Sequence, residues 1–221
     1  MKIIVIASHP DDETLGCGGT LLKQKNNGNA IYWLIVTSMK IQGGFTKEII
    51  QQRKKEIEII SSMYGFEEIY NLDFSTMQLD KIPFIKLIES ISNVFRQVKP
   101  DMVFLPFKGD VHTDHQVVFK AAYSCTKNFR YPSIRKILMM ETMSETEFSP
   151  SLREDSFIPN MFVDITDFIE RKIEIMNIYK SEFSDHPFPR SEKNIRALAT
   201  FRGATAGCEY AESFMILKEI I

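Results

Sequence analysis

Cysteine is scarce in this 221-residue chain. Cys17, Cys125 and Cys208 are odd in number and far apart, which argues against a disulfide framework, and no C-x-x-C pair is present to seed a structural zinc site. Each thiol is expected to behave as a small buried hydrophobe. No apolar run approaches the roughly 18 residues that a membrane-crossing helix needs. The apolar stretch after Lys2 is too short for the core of a signal peptide and runs directly into acidic residues, so a cytoplasmic protein is expected. Excess basic charge is missing too: 27 Lys and Arg against 29 Asp and Glu leave a net charge of −2. No basic stripe alternates with aromatics, which argues against a nucleic-acid partner. Repeats, low-complexity tracts and linkers are absent, and one domain over residues 1–221 is expected. Both glycine fingerprints for nucleotide phosphates, G-x-x-x-x-G-K-[ST] and G-x-G-x-x-G, are lacking.

What is present begins with Ile3-Ile4-Val5-Ile6-Ala7, a β-branched run of about the length of a buried strand, expected over residues 2–7. It ends in Ser8-His9-Pro10-Asp11-Asp12-Glu13, one imidazole and three carboxylates. A second apolar run, Met102-Val103-Phe104-Leu105-Pro106, is followed by His112-Thr113-Asp114-His115. In open α/β sheets ligands gather beyond the carboxyl ends of strands, so both clusters stand where chemistry is placed.

Between them the chain alternates. A helix is expected from about Thr14 to Asn27, capped by Asp12 or Glu13. Its first turn carries Gly16-Cys17-Gly18-Gly19; such poor helix formers point to close packing against the sheet or a ligand, in preference to phosphate binding. Further strands are expected over Ala30–Thr37, Glu68–Leu72 and Asp101–Phe107. Helices are expected over Thr46–Tyr64, with a stripe of Ile49, Ile50, Ile57, Ile60 and Met63, and over Ile82–Val98. The fold class read from this alternation is α/β, a Rossmann-like, mostly parallel sheet with helices on both faces. Past residue 128 the pattern loosens: strands over Arg135–Glu141 and Asn160–Ile165, helices over Asp167–Lys180 and Ser191–Phe201, a Pro-rich loop over Asp185–Pro189, and a last strand over Ala211–Leu217.

Hydrolytic zinc sites take three protein ligands from His, Asp or Glu and leave one position for water. His9 and Asp12 can meet one ion if the backbone turns into a helix between them, and His115 completes a His₂Asp set. Asp11 is then a spare carboxylate placed to act as general base, and His112 can donate to a developing oxyanion. The plainer alternative is a His-Pro turn followed by capping carboxylates. Against it, three of the four histidines sit at expected strand ends.

His9-Pro10-Asp11-Asp12-Glu13 with Gly16-Cys17-Gly18-Gly19-Thr20, then Asp110-x-His112-x-Asp114-His115, resembles the LmbE-like (PIG-L) family of zinc-dependent N-deacetylases. Arg53-x-x-Glu56, Tyr179-Lys180-Ser181 and Tyr210-Ala211-Glu212-Ser213-Phe214 extend the likeness over nearly the whole chain. The resemblance implies Zn²⁺ on His9, Asp12 and His115, Asp11 as general base, His112 stabilising the tetrahedral intermediate, and Asp114 orienting His112. It implies hydrolysis of the acetamide of a glucosamine-type sugar, free or nucleotide- or lipid-linked, in glycan or glycoconjugate synthesis; a homo-oligomer is left open. Arg53 and Glu56 are candidate substrate contacts, or else a solvated ion pair. Thr76 stands where relatives commonly carry an acidic sugar contact. His186 is expected in a loop, and Arg190, Arg196 and Arg202 reach the site only if the loop before Ser191 folds over it. The rival readings are an amidase for another N-acyl compound, such as a thiol conjugate, and a nucleotide-binding module.

Overall fold

The computed structural model describes residues 1–221. Seven strands form one sheet in the order β3-β2-β1-β4-β5-β7-β6. They are β1 (Lys2–Ala7), β2 (Ala30–Ser38), β3 (Glu68–Ser75), β4 (Met102–Leu105), β5 (Lys136–Met140), β6 (Met161–Asp164) and β7 (Ala211–Glu219). Strands β1 to β5 are parallel, and β7 runs antiparallel to both of its neighbours. The helices are α1 (Asp12–Asn26), α2 (Lys47–Tyr64), α3 (Phe84–Val98), α4 (Thr113–Ser124), α5 (Ile169–Met176) and α6 (Glu192–Ala206). None is long and apolar enough to cross a membrane.

Strand β1 shows why both faces must be covered. Ile3, Val5 and Ala7 pack into a core with α1, α2, α5 and α6, whereas Ile4 and Ile6 pack into a second core with α3 and α4. This is the two-residue period of a strand buried on both sides. From β1 the chain builds outward through β2 and β3, then crosses back to lay β4 on the other flank of β1. The crevice between the carboxyl ends of β1 and β4 is therefore a topological switch point, where open α/β sheets take their ligands.

The glycine run of α1 is a packing device, as expected. A Cβ on Gly16 would stand 2.9 Å from that of Met140, and one on Gly19 would stand 2.8 Å from three carbons of Ile165. Three other readings need correction. First, the N-cap of α1 is Asp11, whose own side chain makes no capping bond; of the two expected capping carboxylates Glu13 accepts the Asp11 N–H, whereas Asp12 turns back to the His9 N–H. Second, the inward face of α2 carries Arg53 and Glu56 alongside Ile60 and Tyr64, and Ile49 is 44% exposed. Third, α5 stops at Met176 instead of Lys180, because the next turns bring Tyr179 into the core.

Helix α1 also kinks at Cys17, where φ is −150°. The kink interrupts the helical ladder and exposes donors that a straight helix would satisfy. Glu212 on β7 accepts two of them, Gly19 N–H at 2.9 Å and Thr20 N–H at 2.7 Å. Lys172 of α5 neutralises this buried carboxylate at 2.7 Å and donates to Leu15 O at 3.0 Å. Removing one partner of a buried pair strands the other charge. Glu212→Ala is expected to destabilise the fold by about 3–5 kcal/mol, read from the midpoint of urea unfolding followed by circular dichroism.

Candidate metal centre

After Ala7 the backbone makes a tight turn before α1. Asp11 adopts φ 139°, a region that side-chain-bearing residues rarely occupy. Glu13 holds the strained residue in place: its Oε2 accepts the Asp11 N–H at 3.0 Å. Its Oε1 accepts Thr14 Oγ1–H at 2.6 Å and the Tyr179 hydroxyl at 2.8 Å. Burial raises the Glu13 carboxyl to about 7 despite those donors. Glu13 thus caps α1 and also supports the turn, through a bond to Tyr179, which lies 166 positions along the chain.

The turn sends adjacent carboxylates to different partners. Asp12 Oδ2 accepts the His9 N–H at 2.9 Å, and Asp12 Oδ1 lies 3.3 Å from His115 Nε2. Asp11 Oδ2 instead meets Arg190 Nη1 at 3.0 Å. Burial opposes ionisation of Asp12, but the His115 and His9 rings and the His9 N–H outweigh it and hold the carboxyl below its usual range. For Asp11, burial and the neighbouring Asp12 charge push the carboxyl well up, against the pull of Arg190.

His115 lies in the first turn of α4 and is fully buried. Asp110 Oδ2 holds its Nδ1 at 2.8 Å, and Thr146 Oγ1 holds Asp110 in turn at 2.7 Å. Nε2 is left buried without a hydrogen-bond partner. An orphaned ring nitrogen aimed at a carboxylate, with a second carboxylate fixing the other nitrogen, is the arrangement of a metal-ligating histidine. Ligand atoms of His9, Asp12 and His115 all lie within 4.8 Å of one another, so the three can hold an ion. Two imidazoles and one carboxylate form a donor set suited to a borderline-soft divalent metal.

His112 is the N-cap of α4, with its ring centroid 4.5 Å from that of His9. Its Nδ1 accepts the Asp114 N–H at 3.1 Å, so the neutral ring carries its hydrogen on Nε2. Burial, with His9 and His115 nearby, lowers His112 to about 4 and keeps that ring neutral. The Asp114 carboxylate makes no hydrogen bond to the His112 ring that it is expected to orient. It lies 3.1 Å from His9 Nε2 and accepts the Met77 and Leu79 N–H groups at 2.7 and 3.3 Å, tying the loop after β3 to the site.

Above these groups opens a cavity of about 550 Å³ lined by His9, Asp11, Asp12, His112, Arg53, Thr76 and Arg190, among others. Arg53 is buried, not solvated: it binds Glu56 Oε2 at 3.0 Å, Pro10 O at 2.7 Å and Ser181 Oγ at 2.8 Å. Glu56 sits behind Arg53 and does not line the cavity, which argues against direct substrate contact. His186 is exposed in its loop; Arg196 pairs with Glu170 and Glu192, and Arg202 with Glu141. Of these four residues only Arg190 reaches the site.

The family model for GlcNAc-PI de-N-acetylases, PIG-L, matches residues 4–126, which include both strand ends. The chain belongs to the PIG-L family. It is 26% identical over 234 residues to the diacetylchitobiose deacetylase of Thermococcus kodakarensis, spanning 99% of this chain and 84% of that protein. The N,N'-diacetylchitobiose deacetylase of Pyrococcus horikoshii superposes with a TM-score of 0.79 at 25% identity, over 98% of this chain and 84% of that one. The conserved protein TT1542 from Thermus thermophilus also gives 0.79, at 26% identity over 99% and 96% of the two chains.

Proposed function

We propose that this PIG-L protein is a zinc-dependent hydrolase that removes the N-acetyl group from an N-acetylglucosamine-type amino sugar or its conjugate. One observation carries the reading: the orphaned His115 Nε2, buried beside Asp12 and His9 at the switch point of the sheet. The deacetylases among its relatives support the acetamide as substrate. His9, Asp12 and His115 would hold the ion, which when bound polarises a carbonyl and lowers the pKa of water to about 7.

The side chains supply the rest. Asp11 Oδ1 makes no hydrogen bond within the protein and faces the cavity, free to take a proton from the attacking water. His112 offers its Nε2–H to the amide oxygen as negative charge develops there, and the neutral ring needs no proton rearrangement to do so. The proton held by Asp11 then passes to the departing nitrogen, leaving acetate and a free amine. Arg53 would contact the sugar from the cavity wall. Because β6 and β7 join the same sheet as β1 to β5, we treat residues 1–221 as one catalytic domain. Its three cysteines are free, which fits a reducing compartment, and we place the enzyme in the cytoplasm.

The test is acetate release from diacetylchitobiose and from N-acetylglucosamine by zinc-loaded protein, set beside chelator-treated protein. Release by the loaded form alone supports the reading. Zinc-loaded protein that frees amines only from other N-acyl compounds would move the assignment to a different amidase.

A further inference from the structure

The loop between α5 and α6 delivers one guanidinium to the cavity floor. Arg190 Nη1 lies 3.0 Å from Asp11 Oδ2, and Nη2 lies 3.1 Å from Glu182 Oε2. Glu182 Oε1 also binds Arg53 Nη2 at 2.5 Å, and Arg53 Nη1 donates to Pro10 O at 2.7 Å. Glu182 thus holds two arginines, one on the Pro10 carbonyl and one on the adjoining carboxylate. The loop is itself pinned: Asn194 Nδ2 donates to Phe188 O and Pro189 O, and the Arg190 guanidinium lies 5.4 Å from the centroid of the Phe188 ring.

Several features set Arg190 apart from an ordinary structural arginine. It donates to no backbone carbonyl, and both of its partners are carboxylates that also line the cavity. Its Nε is buried with no partner, a cost accepted while both terminal nitrogens face carboxylates. No other group hydrogen-bonds the Asp11 carboxylate. That carboxylate sits on a strained residue beside the like charge of Asp12, so without a tether it has reason to turn away.

We propose that Arg190 is a positioning residue for Asp11: it grips Oδ2, so that Oδ1 is presented to the water that attacks the acetamide, and Glu182 fixes Arg190 in that grip. This rests on the reading of Asp11 as general base. Misplacing a reacting group by about 1 Å costs on the order of 100-fold in rate, and that is the loss of kcat expected for Arg190→Ala. KM and bound metal should stay close to wild type. Millimolar guanidinium should restore part of the lost kcat while equal ionic strength of sodium chloride does not, and Arg190→Lys should retain part of it. Since the effect runs through Asp11, Arg190→Ala in an Asp11→Asn background should cost nothing further.

An unchanged kcat in folded, metal-loaded Arg190→Ala overturns the proposal, as does a loss confined to KM or one fully additive with Asp11→Asn. Should Arg190→Ala fail to fold, Arg190→Lys and Arg190→Gln carry the same cycle. The underlying readings fail separately. No acetate release by the wild-type protein removes the deacetylase assignment, and full activity of Asp11→Asn removes the general base; either result takes this proposal with it. A dead Asp11→Asn beside a fully active Arg190→Ala removes Arg190 alone.

Discussion

Asp11→Asn is expected to bind metal as the wild type does and to lose between about 100- and 10,000-fold in kcat, the range over which general acid–base catalysis operates. Metal retention follows from the division of labour at the turn. Asp12 faces His9 and His115, whereas Asp11 faces Arg190 and contributes to neither group of candidate ligands. The amide oxygen of asparagine can still accept from Arg190, and Glu13 still receives the backbone N–H of residue 11. The turn should therefore survive, and the substitution removes basicity alone. Metal content by elemental analysis, far-ultraviolet circular dichroism and initial rates of acetate release decide the matter together. Unchanged turnover in folded, metal-loaded protein would end the general-base assignment.

The sequence made the centre of the fold legible because that centre is local. Strand β1 and the turn to α1 are contiguous, as are β4 and the start of α4, so the grouping of His9 with Asp12 and of His112 with His115 could be read from spacing. That these two tips meet follows from the sheet order, which the alternation of strands and helices implies without fixing. What escaped is held together by contacts between distant segments. Glu13 with Tyr179, Gly19 and Thr20 with Glu212, and Asp11 with Arg190 are separated by 166, 193, 192 and 179 positions. Periodicity carries no trace of such pairs. The misreading of α2 has the same origin: an inward-facing Arg53 and Glu56 defy the rule that charges face solvent, and they are tolerated because Glu182 and the Pro10 carbonyl complete the pairing. Asp110 was within reach. It belongs to the His-Asp cluster, and a carboxylate behind a ligating histidine is a common arrangement, so it was open to inference before the fold was known.

The contrast between Asp110 and His115 gives the second large effect. His115→Ala removes one of three candidate ligands and should leave protein that no longer retains zinc through gel filtration and shows no acetate release. Asp110→Asn keeps the ligand and disturbs only the hydrogen bond that orients it, so affinity should fall by about 10–100-fold, the usual cost of an outer-shell change. A competition titration against a chromogenic chelator ranks the two variants. The alanine variant also strands the Asp12 and Asp110 carboxylates, whose common partner is this ring. Breaking such buried pairs costs about 3–5 kcal/mol of fold stability, so His115→Gln serves as the gentler control. If folded His115→Gln bound zinc as tightly as the wild type, the ion would have to lie elsewhere. The second cluster of His9, His112 and Asp114 would then be the place to seek it.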